Sequence, residues 1–235
     1  MNPRLVNTKP PPTRGTPGHA KPGRTFAAVI FDMDGVIVDS EPRHEQAFRE
    51  VFAQLGYGET HGMDFPAYYG RSDRALWLDF VAKHRPPYPL EDLIRLKQDR
   101  LLSILKREQP IFPELPPLLG KLAARYPLAV ASGSPHAVID EVLQIGALRR
   151  FFRAVVSVQD VPHSKPAPDV FLRAAELLGV APSACCVVED AAVGVEAAVA
   201  AGMTVIAITN SLPAEKLARA TRVVHTYSEI EHWLL

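Results

Sequence analysis

Phe26-Ala27-Ala28-Val29-Ile30-Phe31-Asp32-Met33-Asp34-Gly35 is the stretch on which the fold turns. Six apolar residues with no polar interruption predict a strand buried on both faces of a parallel sheet. Two carboxylates follow at its carboxyl end, where open α/β sheets bind their ligands. Residues two apart in an extended chain point the same way, so Asp32 and Asp34 can address one reacting centre. Gly35 then lets the chain turn sharply with no side chain in the way. Taken alone, the motif also fits an ordinary turn that opens with aspartates.

Outward from that stretch, strand-like runs alternate with helical patterns. Strands are expected at Phe26–Phe31, Leu128–Ala131, Ala154–Val158, Cys185–Val188, Thr204–Ile208 and Arg222–His225. Helical patterns lie near Leu115–Arg125, Ala137–Ile145, Asp169–Leu178 and Val195–Ala201. This alternation predicts an α/β fold, a doubly wound, Rossmann-like parallel sheet. Between about Glu41 and Glu108 the rhythm breaks: helical patterns occupy His44–Leu55, Arg74–Lys83 and Leu90–Arg107, with no buried strand. In the last of these, Leu93, Ile94, Leu96, Leu101, Ile104 and Leu105 fall mainly on one stripe. An all-helical cap domain inserted after the first strand is therefore expected at residues 41–110, with the core at 25–40 and 111–235. Pro42, Pro110 and Pro113 read as hinge punctuation. Residues 1–24 carry six prolines and five basic residues with no acid, and read as a disordered tail.

The chain has 235 residues, 47% hydrophobic and 22% charged, ordinary values for a globular protein. Its formal net charge is zero, which gives no electrostatic bias toward nucleic acid or anionic membrane. No apolar run is long enough to span a bilayer, and no secretory leader or transit peptide is apparent. The two cysteines, Cys185 and Cys186, are adjacent in an apolar segment, which suits small buried hydrophobes better than a disulfide framework or a zinc site. A cytoplasmic protein, monomeric or weakly dimeric, is expected.

Three further segments carry chemistry. Leu128–Ala131 runs into Ser132-Gly133-Ser134-Pro135, where Ser134 suits an N-cap and Pro135 the first helical position. Such a turn aims free N–H groups at the strand end, a setting suited to phosphate. Ser164-Lys165-Pro166-Ala167-Pro168 flanks one lysine with prolines just before a helix, as a fixed positive charge would require. Cys185-Cys186-Val187-Val188 runs directly into Glu189-Asp190. Helix capping by Asp190 accounts for one acid, but not for a second apolar strand that also ends in carboxylates. Two such strand ends can hold a hard divalent cation through oxygen, magnesium above all when a phosphate shares the site.

In this order and spacing, Asp32-Met33-Asp34-Gly35-Val36, Ser132-Gly133-Ser134, Lys165-Pro166 and Glu189-Asp190 resemble the four motifs of the haloacid dehalogenase-like hydrolase superfamily. More narrowly, the chain is similar to the helical-cap branch that contains β-phosphoglucomutase and small sugar-phosphate phosphatases. The resemblance covers about Phe26 to Ile208. It implies a phosphoric monoester hydrolase acting on a small phosphorylated metabolite through an aspartyl-phosphate on Asp32. Asp34 would be the general acid and base, and Lys165 would offset charge beside the nucleophile. Magnesium would be held by Asp32, the Asp34 carbonyl and Asp190, with Glu189 a less direct ligand. Ser132 and Gly133 would hold the phosphoryl oxygens.

The second acid, Asp34, argues against dehalogenation, and Gly70-Arg71-Ser72-Asp73-Arg74 offers no cap lysine for phosphonate cleavage. Ser40 and His44 match groups near the hinge of β-phosphoglucomutase. Pro135, His136 and Asp73 depart from the mutase pattern, so a phosphatase is expected, with a phosphomutase as the alternative and a non-catalytic phospholigand-binding protein as a further one. Substrate choice is expected to lie with Glu41, His44, Arg71, Ser72, Arg74 and His136. Tyr68, Tyr69, Trp77 and Phe80 could line the pocket, although aromatic residues at helical spacing more often form a core.

Overall fold

The computed structural model describes residues 26–68 and 72–235. The expected tail, residues 1–24, therefore lies outside the described residues, as do Tyr69 and Arg71. Six parallel strands form one sheet: β1 Ala28–Phe31, β2 Leu128–Ala131, β3 Phe152–Val156, β4 Cys185–Glu189, β5 Thr204–Ile208 and β6 Arg222–Val224. Their spatial order is β3-β2-β1-β4-β5-β6. The chain thus runs outward in one direction from β1 and returns to its other side with β4. The gap between the carboxyl ends of β1 and β4 is where such sheets open to a ligand.

Every residue of β1, β2, β4 and β5 is buried, and the period of two explains how. Val29, Phe31, Leu128, Val130, Cys186 and Val188 face one layer. That layer contains α4 (Leu115–Ala123), α5 (His136–Ile145) and α8 (Tyr227–Leu234). Ala28, Ile30, Ala129, Ala131, Cys185 and Val187 face the other, against α6 (Asp169–Leu178) and α7 (Ala192–Ala200). An apolar run without alternation is what burial on both faces demands.

Some expected bounds shift. Phe26 and Ala27 precede β1 rather than belonging to it, and Phe26 packs on Trp233 with ring centroids 5.6 Å apart. β3 ends at Val156, because the Ser157 hydroxyl accepts from the Gln159 N–H and starts a tight turn. α8, which was not among the expected helices, opens on Thr226, whose hydroxyl accepts from the Glu229 N–H at 3.3 Å.

The helical insert comprises α1 (Glu41–Gln54), α2 (Asp73–His84) and α3 (Leu90–Glu108). Pro42 sits in the first turn of α1, where its missing N–H costs nothing. The insert has its own apolar cluster, built from Phe48, Val51, Phe52, Phe65, Leu76, Trp77, Phe80 and Leu93. Trp77 and Phe80 are therefore cap core. The two crossings between the layers pair with each other: Val38 bridges Ile111, and the Asp39 N–H donates to the Pro110 carbonyl at 2.9 Å. α3 belongs to both bodies, with Leu93 in the cap cluster and Leu101, Ile104 and Leu105 in the main core. Among the described residues no helix is long and apolar enough to cross a membrane. Cys185 and Cys186 are buried free thiols, and burial pushes the Cys185 thiol up to about 11.

Candidate active site

β1 and β4 end side by side, with the Asp32 N–H donating to the Val188 carbonyl at 2.9 Å, so the ladder delivers both acid-bearing ends to one place. Ligand oxygens of Asp32, Glu189 and Asp190 all lie within 4.8 Å of one another, and all three residues are buried. Lys165 crosses from the loop before α6 and bridges two of them, at 2.8 Å from Asp32 Oδ1 and 2.7 Å from Glu189 Oε1. Its ammonium also lies 4.8 Å from the centre of the Phe171 ring.

One cation against three carboxylates leaves the cluster over-charged. Burial pushes the Asp32 carboxyl up to about 7, against the pull of Lys165 and with further upward pressure from Glu189 and Asp34. Burial, then Glu189 and Asp32, raise Asp190 well above the usual carboxylate range. Lys165 pays a burial penalty as well, but Asp32 and Glu189 outweigh it and hold it protonated. A buried oxygen-only donor set with surplus negative charge fits a hard divalent cation.

Two glycines make the close packing possible. Gly35 has φ +71°, and a Cβ there would strike the Asp190 carboxylate and the Ser211 hydroxyl. A Cβ on Gly194 would run into the Glu189 carboxylate. The second Glu189 oxygen accepts from the Asp190 and Ala191 N–H groups at 2.6 and 2.7 Å. Glu189, not Asp190, therefore organises the turn into α7, whose N-cap Ala191 has no side-chain cap. Asp190 is left free to face the cluster.

Asp34 is held differently. Ser40 Oγ donates to its Oδ1 at 2.7 Å, Ser134 Oγ to its Oδ2 at 2.9 Å, and His44 Nε2 stands 3.7 Å from Oδ1. Burial pushes its carboxyl up, but the His44 imidazolium and the two hydroxyls outweigh that and hold it at about 2. Burial and the neighbouring Lys97 pull His44 down, yet Asp34 and Asp73 lift it to about 9. Ser134 thus serves Asp34 and does not cap α5, whose N-cap is Pro135. Ser132 is fully buried, and its Oγ accepts from the Ser134 N–H at 3.0 Å, which shapes the turn.

A cavity of about 320 Å³ opens over these groups between core and cap. Asp32, Asp34, Gly133, Ser134, Lys165, Glu189 and Asp190 line its floor, and Glu41, His44, Phe65, Tyr68, Ser72, Asp73 and Arg74 line its cap side. Arg74 lies there with its guanidinium 2.6 Å from Glu91. His136 is not brought in: its ring pairs with Asp160 at 2.8 Å, outside the lining. Arg71 lies outside the described residues.

Several contributors escaped the sequence reading. Lys97 is fully buried in the cap, its Nζ 2.6 Å from both Asp73 Oδ2 and His44 Nδ1. Its signal was present, because position 97 falls four residues from both Leu93 and Leu101 on the apolar stripe. Asn210 and Tyr227 hold the turn after Asp34, donating to the Gly35 and Val36 carbonyls at 2.7 Å each. No local pattern links them to that turn, 175 and 191 residues away.

The chain is similar to known proteins over most of its length. The family model described as haloacid dehalogenase-like hydrolase matches residues 26–202. The fructose-1-phosphate phosphatase YqaB of Escherichia coli K12 is 36% identical over 184 residues, covering 77% of this chain and 95% of that protein. Hexitol phosphatase B of the same organism is 32% identical over 187 residues, 79% of this chain and 84% of that one. The crystal structure of CbbY from Rhodobacter sphaeroides in complex with phosphate has the same fold, with a TM-score of 0.75 at 24% identity over 87% of this chain and 96% of that chain. With the family model spanning most of the chain over the strand ends that build the cavity floor, the chain belongs to the haloacid dehalogenase-like hydrolases.

Proposed function

We propose that this hydrolase, a phosphoric monoester hydrolase, releases phosphate from a small sugar, polyol or short-acid monoester through a covalent aspartyl-phosphate on Asp32. The observation that carries the reading is Lys165 bridging Asp32 and Glu189 while Asp190 closes the cluster, all at the floor of one cavity. The relatives named for fructose-1-phosphate and hexitol phosphates support the substrate class.

Asp32 Oδ attacks phosphorus, forming a P–O bond to the carboxylate as the bond to the leaving alkoxide breaks. Lys165 keeps Asp32 oriented and its charge balanced as the phosphoryl group arrives. Ser132 and the Gly133 backbone hold phosphoryl oxygens at the end of β2. Asp34 donates a proton to the leaving oxygen and later takes one from the water that attacks the acyl phosphate. The low value of Asp34 suits the second role. An arriving phosphate dianion raises it toward the first, with the His44 imidazolium as the adjacent proton store. Asp32, Asp190 and the Asp34 carbonyl would hold magnesium, with Glu189 behind them bonded to Lys165. When bound, magnesium supplies positive charge that offsets repulsion between the carboxylates and the phosphoryl oxygens.

Residues 41–110 act as the cap, and the paired crossings at Asp39 and Pro110 form its hinge. The reduced Cys185 and Cys186 suit a cytoplasmic setting. A phosphomutase reading draws on Ser40 and His44 beside Asp34.

The test is magnesium-dependent release of p-nitrophenol from p-nitrophenyl phosphate. Asp32→Asn is expected to fall to background, and Asp34→Asn to lose about 10²–10⁴-fold. Turnover that survives Asp32→Asn would exclude the covalent route. With β-glucose 1-phosphate and a trace of the bisphosphate, isomerisation faster than phosphate release would favour the mutase.

A further inference from the structure

The turn after Asp34 is held from a distant part of the chain. Locally, the Val36, Ile37 and Val38 N–H groups all donate to the Met33 carbonyl, and the Gly35 N–H donates to the Val38 carbonyl. The next two carbonyls are taken from outside: Asn210 Nδ2 donates to that of Gly35 and Tyr227 Oη to that of Val36, each at 2.7 Å. The Asp34 carbonyl, flanked by these, accepts from no group among the described residues. The Asn210 nitrogen also reaches Tyr227 Oη at 3.0 Å, so the two donors are tied together. A carbonyl oxygen can only accept, which fixes the amide with its nitrogen toward Gly35.

Both donors are anchored in the core domain. Asn210 follows Thr209, whose N–H donates to the Val224 carbonyl of β6 at 3.0 Å. Tyr227 is buried at the start of α8, its ring centre 5.6 Å from that of Phe112. β4 stands between β1 and β5 in the sheet, so Asn210 reaches from the end of β5 past the strand that delivers Asp190. Ser211, the next residue, packs with the Asp190 carboxylate against Gly35.

We infer that Asn210 and Tyr227 are positioning residues for the cation site: by fixing the carbonyls that follow Asp34, they set the Asp34 carbonyl at a magnesium-competent place beside Asp32 and Asp190. This rests on the proposed magnesium site and adds the groups that determine its geometry. Magnesium demands near-octahedral ligands at about 2.0–2.1 Å, whereas calcium accepts a looser sphere at about 2.3–2.6 Å. A carbonyl released from its clamp therefore weakens magnesium more than calcium. Partners behind the ligands of a metal typically govern its affinity by about 10–100-fold.

Calorimetric titration of magnesium, and separately of calcium, into the full chain measures the effect. Asn210→Ala and Tyr227→Phe are each expected to weaken magnesium about tenfold and calcium less, so the ratio of the two affinities falls. In turnover of p-nitrophenyl phosphate, the magnesium concentration at half-maximal rate is expected to rise by more than kcat falls. Thr209→Val removes a bond in the same loop that reaches His225 at 2.9 Å, and is expected to keep the wild-type ratio. Asn210 is exposed, so its truncation leaves the core intact if Tyr227→Phe proves unstable. A lower Tm with unchanged magnesium affinity in Asn210→Ala, or equal losses for the two ions, makes the contact merely structural. Either result overturns the inference and leaves the magnesium site standing. A wild type that binds no magnesium ends both.

Discussion

Gly194 sits in the first turn of α7 with the buried Glu189 carboxylate folded against its Cα, and two opposing effects meet at that one atom. Helix propensity favours replacing glycine with alanine by about 1 kcal/mol. The new Cβ, however, would overlap a carboxylate that cannot swing away, because Lys165 and two backbone N–H groups pin it. Overpacking at such a site costs about 1–3 kcal/mol, so the clash wins. Gly194→Ala is expected to lower the urea midpoint and to reduce kcat/KM at least tenfold, since moving Glu189 releases Lys165 from its fixed place. Unfolding curves and turnover on p-nitrophenyl phosphate, measured together, check it. A stabilised and fully active variant would mean that Glu189 has room to retreat.

At the scale of elements, α3 ties the two bodies together and carries their most unusual contact. Its stripe runs from Leu93 in the cap to Leu101 and Leu105 in the main core, and Lys97 interrupts it midway. Lys97 also lies 4.8 Å from the Phe48 ring centre, so its ammonium is surrounded by apolar surface except where Asp73 and His44 meet it. Burial pushes the Asp73 carboxyl up, but Lys97 and His44 hold it well below the usual carboxylate range. A depressed carboxylate contributes stability in full above its unfolded value, about 3.9, and loses it as pH falls through the folded value. The double variant Lys97→Met with Asp73→Asn lacks this contribution. The difference in unfolding free energy between wild type and double variant is therefore expected to favour wild type less and less from about pH 5 to pH 3. Urea unfolding followed by the emission of Trp77, which lies in the cap core, is the measurement. A difference independent of pH would show that Asp73 does not sense Lys97.

The same elements explain which features were legible. Apolar runs buried on both faces leave no ambiguity about β1, β2, β4 and β5, and an acid directly after such a run stands out. The role of Ser134 was hidden because it obeys a local rule as well, and a second local rule outweighed the place of Lys97 on the apolar stripe. Ser-Pro reads as a helix start, and a lysine in a long helix reads as a solvated face. Only the third dimension shows that Ser134 turns to Asp34 and that Lys97 turns inward. Asn210 and Tyr227 obey no local rule at all, since their partner is the turn after β1.

For the whole molecule, the sheet order sets a conflict that a ligand can resolve. Placing β1 beside β4 brings Asp32, Glu189 and Asp190 together, with Lys165 alone among the described residues bonded to them as a cation. Burial raises Asp32 to about 7 and lifts Asp190 well above its ordinary range, so ionising them costs stability as pH climbs above about 3.9. A divalent cation that binds only the folded state returns that stability, by about 2.7 kcal/mol at a hundred times its Kd. For a chain of this size the corresponding rise in Tm is roughly 5–10 °C. Magnesium is therefore expected to raise the Tm of the wild type by that amount at pH 8 and by less at pH 5, where Asp32 retains a proton that the cation must displace. Asp190→Asn is expected to melt higher than wild type without magnesium, because a repelling charge is gone, and to respond little to the ion. Equal magnesium shifts in the two proteins would place the cation elsewhere and leave the acid cluster without its proposed occupant.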